Sequence, residues 1–313
     1  MLKLELILIL VGAVLLDLLI GEYPTSLHPT VWAGRLIDAL IKPGFQLKPI
    51  GQLVYGALVS LLTITISLAV FWLMTWCKDT NRWLFVLVGI LIFKSTFCIR
   101  EQWKVARRTK EIIQNGRPVP QNMRGLFDTV KGNGSISNKD IISSSVRSIA
   151  ENASDFVVAP FFYFLIFGVP GAVAHRVINT LDNMIGYRGK FEYLGKFAAR
   201  LDDLVNFVPA RLTGLAIVLG AKFRNLDFRK SWTTMLTQHS LTPGPNGGWP
   251  MTAAAGALGV TLAKRGHYSI GIDPPIDPDF SAIDRAIGLF IWSVSLWIIA
   301  SICVLTAVLF IRG

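Results

Sequence analysis

Residues 49–77 read PIGQLVYGALVSLLTITISLAVFWLMTWC, an unbroken stretch without one charged side chain. A helix rising about 1.5 Å per residue needs roughly 20 apolar residues to cross a hydrocarbon layer about 30 Å thick. This stretch exceeds that length, and it lacks the charged face that a helix on a soluble protein shows. Working outward, residues 4–20 form a second apolar run, interrupted by Glu5 and Asp17. No small-residue cleavage site follows it, which marks it as an uncleaved span. Residues 83–99 form a third, broken once by Lys94. Residues 156–175 carry no Asp, Glu, Lys or Arg but include Pro160, Gly168, Pro170 and Gly171, the pattern of a kinked or re-entrant helix. Residues 286–311 lie uncharged between Arg285 and Arg312. The expected fold is all-α: a polytopic membrane protein with four to five membrane-embedded helices, residues 1–313 forming one integral domain.

Composition agrees. Of the 313 residues 52% are hydrophobic and 16% charged, against about 25% charged in soluble domains. The mean hydropathy is +0.51. Disordered, collagen-like and disulfide-rich secreted classes are excluded. Cys77, Cys98 and Cys303 lie in or beside apolar runs and make no CxxC pair. The net charge of +11 would suggest nucleic acid in a soluble protein. Here it reads as basic loops beside an anionic membrane lipid surface, with no nucleic-acid partner.

The polar blocks set the orientation. Residues 100–155 hold ten Lys and Arg and are expected on the cytoplasmic side. Within them, 100–114 reads as a basic amphipathic helix and 115–140 as a Gly/Asn/Ser-rich loop. Residues 136–155 read as a helix capped by Ser137 with Asp140 three positions on. Residues 176–285 are expected to form polar helices and loops that carry much of the site. Within them, 251–263 reads as a small-residue helix suited to close packing. No internal repeat and no strand alternation stands out.

Nucleotide and hydrolase signatures are missing: no Walker loop, no GxGxxG, no HExxH, no GxSxG. Other clusters carry the chemistry. Asp17 lies inside an apolar run, where a carboxylate is costly, and His28 follows in the loop from Glu22. Glu151, Asn152 and Asp155 precede the 156–175 segment and offer hard oxygens of the kind Mg²⁺ takes. Arg176, Asn179, Asp182, Tyr187 and Arg188 form a third cluster, in which Asn179, Asp182 and Asn183 share a helix face. Arg200, Asp202, Asp203, Asn206 and Arg211 form a fourth, in which adjacent carboxylates call for a cation and guanidinium forks suit phosphate. Asn246 lies in a Pro/Gly turn that suits an anion. Solvated faces, ion pairs and plain turns are the plainer readings of the same residues.

Taken together, AENASDFVVAP (150–160), GVPGAVAHRVINTLDNMIGY (168–187) and AARLDDLVNFVPARL (198–212) resemble the adenosylcobinamide-phosphate synthase family of cobalamin biosynthesis (CobD/CbiB). GEYP at 21–24, HPTVWAGRLI at 28–37 and PNGGWPMTAAAGALG at 245–259 follow the same pattern and order. The resemblance implies an enzyme of the cell membrane. It would join adenosylcobyric acid, a corrinoid, to aminopropanol or its O-phosphate through an amide, using ATP and Mg²⁺. Phosphorylation makes a carboxylate an acyl donor that an amine attacks, and preset cations and donors neutralise the charge that gathers on oxygen. On this reading Asp155, Asp182, Asp202 and Asp203 hold metal and orient the amine. Arg176, Arg188, Arg200 and Arg211 hold phosphate. Asn152, Asn179, Asn206 and Asn246 bind substrate amides, with Tyr187 beside them, and His28 or Glu151 takes the ammonium proton.

The chain departs from the family pattern at Val130–Ser135, where an expected Arg and Asp are missing, and at Phe156 after Asp155. It departs again at Met251-Thr252, where a glutamate commonly follows the GWP turn. A non-catalytic membrane regulator on the same scaffold and a transporter are the rival readings. Because the reactants are cytoplasmic, segment 156–175 is expected to re-enter rather than cross, leaving 176–211 on the cytoplasmic side. A Lys190→Cys variant without the native cysteines should therefore react with an impermeant thiol reagent only from the cytoplasmic side. Labelling only from outside would defeat re-entry.

Overall fold

The computed structural model describes residues 2–117 and 137–311. The departure noted at Val130–Ser135 and most of the expected 115–140 loop lie outside the described residues. The chain is mostly helical and divides into two compact units. One comprises residues 1–100, 159–206 and 298–313, the other residues 101–158 and 207–297.

The first unit begins with α1 (Leu2–Ile20), α2 (Pro29–Ile41), α3 (Pro49–Ile64), α4 (Ile66–Thr80) and α5 (Arg82–Lys94). Helices α1 and α5 pack closely because glycines face the contact. A Cβ on Gly12 would fall 2.5 Å from Ile90 Cδ1, and one on Gly89 would fall 2.5 Å from Ile9 Cδ1. Phe93, Phe97, Phe161 and Phe164 form the aromatic centre, with Phe93 stacked on Phe164 at 4.1 Å between ring centres.

Charge is buried in this apolar setting only where it is paired. Lys94 and Asp17 are fully buried, and Lys94 Nζ lies 3.1 Å from Asp17 Oδ1 and 2.9 Å from Glu22 Oε2. Asp17 Oδ2 accepts the backbone N–H groups of Ile99 and Arg100, which open α6 (Arg100–Gln114). A carboxylate at a helix N-terminus suits the positive end of the helix dipole. Asp17 therefore neither snorkels to an interface nor stands free as a reactive group.

Helix α6 begins the second unit's share of the chain and is the amphipathic basic helix expected. Next comes α7 (Asn138–Ala153), opened by the expected cap: Ser137 accepts from Asp140 N–H, and Asp140 accepts from Ser137 N–H. A π-helical turn, Ser154–Val158, leads into α8 (Ala159–Ile185) in the first unit. At Gly168 the backbone leaves the helical region (φ 67°, ψ −156°), a conformation that glycine adopts without a Cβ penalty, and Pro170 follows. Segment 156–175 is thus kinked, and the polar residues to Ile185 continue the same helix. Helix α9 (Lys196–Val205) completes this part of the unit.

The second unit continues with α10 (Phe207–Phe223), α11 (Phe228–Gln238) and α12 (Gly248–Leu258), whose small side chains are nearly all buried. Ser231 donates to Ala253 O at 2.8 Å, tying α11 to α12. The fold is mostly helical as expected, with one short departure here. The small-residue helix expected over 251–263 ends at Leu258, Gly259 turns left-handed, and two short antiparallel strands follow. They are β1 (Thr261–Lys264) and β2 (Tyr268–Gly271), with Leu262 opposite Ile270. The last helix, α13 (Phe280–Ile311), runs on into the first unit's residues.

Among the described residues three helical stretches are long and apolar enough to cross a membrane: Pro49–Thr80, Asn138–Ile185 and Phe280–Val308. A fourth counts if α9 and α10 make one broken span. The upper count of four meets the lower end of the four to five embedded helices expected. Helix α5 has 13 residues, about 20 Å of length.

Removing one partner of a buried ion pair strands the other charge at a cost of about 3–5 kcal/mol. Lys94→Met should therefore lower the thermal unfolding midpoint sharply, and Lys94→Met with Asp17→Asn should lower it less than the single changes add up to. Strict additivity in a double-mutant cycle would remove the pair from the fold's supports.

Candidate functional site

In the first unit the residues converge on the C-terminal half of α8 and on α9. His175 is buried, and its Nε2 donates to Asn206 Oδ1 at 2.9 Å. Asn206 Nδ2 then donates to Asp202 Oδ2 at 2.9 Å. The amide thus links an imidazole to a carboxylate. Asp202 Oδ1 is buried without a hydrogen bond, and so is His175 Nδ1. Asp182 acts electrostatically on Asp202, and Asp203 on Asp182. Two buried acceptors and neighbouring carboxylates ask for a proton or a cation. One turn after Asp182, Gly186 keeps room for that side chain: a Cβ there would fall 2.0 Å from Asp182 Oδ1.

The amide face is also formed. Asn183 Nδ2 donates to Asn179 O at 2.8 Å and lies 3.2 Å from Asn179 Oδ1, and Arg176 Nη1 approaches the same Oδ1 at 3.5 Å. Arg176 and Thr180 also line an apolar cavity of about 380 Å³ between α2, α4 and α8, with Trp32, Ile66, Val70 and Val177. Arg200 pairs with Asp203 at 3.5 Å on an exposed flank. Tyr187 and Arg188 are exposed at the end of α8.

His28 serves its own loop. Its Nδ1 accepts Thr30 N–H at the start of α2, so its Nε2 carries the proton given to Glu22 Oε2 at 2.9 Å. Both ring nitrogens are engaged.

The second unit holds the remaining predicted residues. Asn152 donates to Gln102 Oε1 and to Ser148 Oγ, at 2.9 and 3.2 Å. Asp155 lies in the π-helical turn. Glu151 Oε1 lies 2.6 Å from the position of a Cβ on Gly247, which sets it at the N-terminus of α12 beside buried Asn246. Arg211 sits over the Phe207 ring at 3.4 Å and near Trp249 at 4.7 Å, and Trp249 stacks on His239. Met251 is buried and touches the Tyr268 hydroxyl. Among the described residues no three His, Cys, Asp or Glu side chains are grouped to hold a metal on their own.

The CobD/Cbib protein family model matches residues 10–308. The chain belongs to this family. It is 37% identical to the cobalamin biosynthesis protein CobD of Dehalococcoides mccartyi over 270 residues, 86% of this chain and 88% of that one. It is 32% identical over 304 residues to a probable cobalamin biosynthesis protein CobD of Methanocaldococcus jannaschii, covering 93% of this chain and 98% of that one. A probable cobalamin biosynthesis protein CobD of Pyrococcus abyssi is 37% identical over 286 residues, covering 90% of this chain and 91% of that one. No solved structure matches. Membership places the CobD/Cbib chain in cobalamin biosynthesis as an enzyme, with corrinoid-related substrates. His175 was missed in the sequence because a lone histidine in an apolar run reads as packing. Its spacing to Asn179 on one helix face was the available signal.

Glu22, outside the helices, carries a pH signature. Burial raises its pKa, but the His28 hydrogen bond and the Lys94 ammonium outweigh burial and bring it from 4.5 to about 2. A depressed carboxylate contributes stability that is fully present above the unfolded value and is lost as pH falls through the folded one. Thermal unfolding midpoints should therefore drop between about pH 4.5 and 2, and Glu22→Gln should flatten that limb. An unchanged acid limb in the variant would contradict this.

Proposed function

We propose that this CobD/Cbib chain forms the amide between adenosylcobyric acid and aminopropanol, or its O-phosphate, with ATP, at the cytoplasmic face of the cell membrane. The observation that carries the reading is the buried His175–Asn206–Asp202 chain, whose carboxylate neighbours Asn179 and Asp182. Magnesium prefers hard oxygens and is commonly held by one or two carboxylates together with substrate phosphates. Asp182 and Asp202 fit that donor set without a third protein ligand. The ion would neutralise charge on phosphate oxygens when bound. Asp203, paired with Arg200, and Asp155, in the other unit, are the weaker members of the proposed metal set.

In this reading Asn206 fixes the Asp202 carboxylate, and His175 fixes Asn206. Asn179 and Arg176 orient substrate amides and phosphate beside the apolar cavity. His28 is engaged at both nitrogens, which leaves Glu151, in the second unit, as the remaining candidate of that pair for taking the ammonium proton. Asn152, Asn246 and Arg211 are the second unit's substrate-binding candidates, and Arg188 and Tyr187, exposed at the end of α8, are the first unit's.

The test mixes purified protein with adenosylcobyric acid, aminopropanol phosphate, ATP and Mg²⁺ and separates products by mass. Amide and ADP should appear together. Asp202→Ala should lower turnover by about a hundredfold or more while leaving the unfolding midpoint near that of the parent. Absence of amide and ADP in the parent protein would favour a non-catalytic scaffold, and full activity in Asp202→Ala would remove that carboxylate from the site.

A further inference from the structure

Arg147 lies on α7, one turn after Ser143 and one turn before Glu151, and is 6% exposed. Its Nη1 donates to the Tyr268 hydroxyl at 3.1 Å, and its guanidinium carbon lies 5.7 Å from the centre of that ring. The hairpin bearing Tyr268 is fastened to α7 on either side of this contact. Ser143 Oγ accepts Ala263 N–H at 2.9 Å and donates to Ala263 O at 3.1 Å, and Arg265 pairs with Asp140 at 2.8 Å. The guanidinium is therefore held in place by a built frame.

Its charge has no counterpart. Among the described residues no carboxylate pairs with Arg147, and its Nε is buried without a hydrogen bond. Glu151 lies on the same helix, but its Oε1 is set against Gly247. A guanidinium stays protonated under all physiological conditions, so burial cannot be relieved by losing the proton. A buried charge without a partner is strongly unfavourable. On the far side of Tyr268 its hydroxyl meets Met251 Sδ at 3.7 Å, in the first turn of α12.

We propose that Arg147 and Tyr268 form the floor of a phosphate subsite, taking the terminal dianionic phosphoryl group of a small ligand. The guanidinium fork offers two parallel donors to such a group, and the Tyr268 hydroxyl turns to donate a third. Two ligands present the same phosphoryl chemistry: the phosphate ester of an amino alcohol and the terminal phosphate of ATP. That either is a substrate rests on the reading above; that the guanidinium binds phosphate does not.

Titration calorimetry on the full-length protein in detergent separates these cases, with four ligands: aminopropanol phosphate, aminopropanol, ATP and adenosine. The parent should bind at least one phosphorylated ligand better than its unphosphorylated counterpart by about tenfold or more. The arm in which this occurs names the ligand. Arg147→Gln should erase that preference while leaving the unphosphorylated ligand's affinity unchanged, and Arg147→Lys should restore part of it. Should Arg147→Gln fail to fold, Tyr268→Phe keeps the guanidinium and should still weaken phosphate binding severalfold. Phosphate preference unaltered in whichever variant folds overturns the subsite. Preference that depends on Arg147 in a protein forming no amide keeps the subsite and rejects the ligase. Amide formation with an unaltered KM for each phosphorylated substrate in the variants does the reverse.

Discussion

A charge withdrawn from water has to meet its opposite, and in this chain the Lys94 ammonium shows how much structure follows from that rule. It is wholly buried, and it draws Asp17 of α1 and Glu22 of the following loop to the end of α5. Asp17 in turn receives the first N–H groups of α6, and Glu22 receives the His28 proton that belongs to the cap of α2. Four helices are fixed at their ends by one small knot of charge. In hydrocarbon, where backbone and side-chain polar groups find no water, such a knot specifies position more sharply than apolar packing does.

The same rule separates support from chemistry. Where opposite charges meet, as around Lys94, the cluster holds the fold. Where charge of one sign gathers, the cluster is available for a ligand. Asp202 keeps one buried oxygen without a hydrogen bond, next to a second carboxylate, while His175 and Asn206 hold it from behind. Arg147 is the opposite case, a cation with a hydroxyl and a ring beside it but, among the described residues, no anion. The two sets differ in sign, as recognition of a metal ion and of a phosphoryl group requires.

How far these features could be read from the residues depended on the range of the interaction. Local ones were legible: the uncharged 49–77 stretch, the Ser137–Asp140 cap, the Asp202–Asn206 bond at four-residue spacing and the Arg200–Asp203 pair all follow from near neighbours. Lys94 looked like an interruption in a span because its partner Asp17 lies far away in the chain. The hairpin at 261–271 was hidden because each strand has four residues, too few for alternation to stand out. Arg147 raised no signal at all, since an arginine on a polar helix is expected to face water. Its burial is created by a hairpin more than a hundred residues later.

Gly168 explains a further blind spot. Helix α8 is drawn as one element, but its two halves do not share a rotational phase, because the backbone at Gly168 adopts a left-handed angle between them. Tyr163, before the break, stacks with His175, after it, at 5.5 Å between ring centres. A helical wheel drawn through the whole of 159–185 would therefore misplace one half's stripe relative to the other's. The hinge dictates which azimuth the imidazole occupies, so a glycine that touches no substrate decides where the polar stripe of His175, Asn179 and Asp182 points.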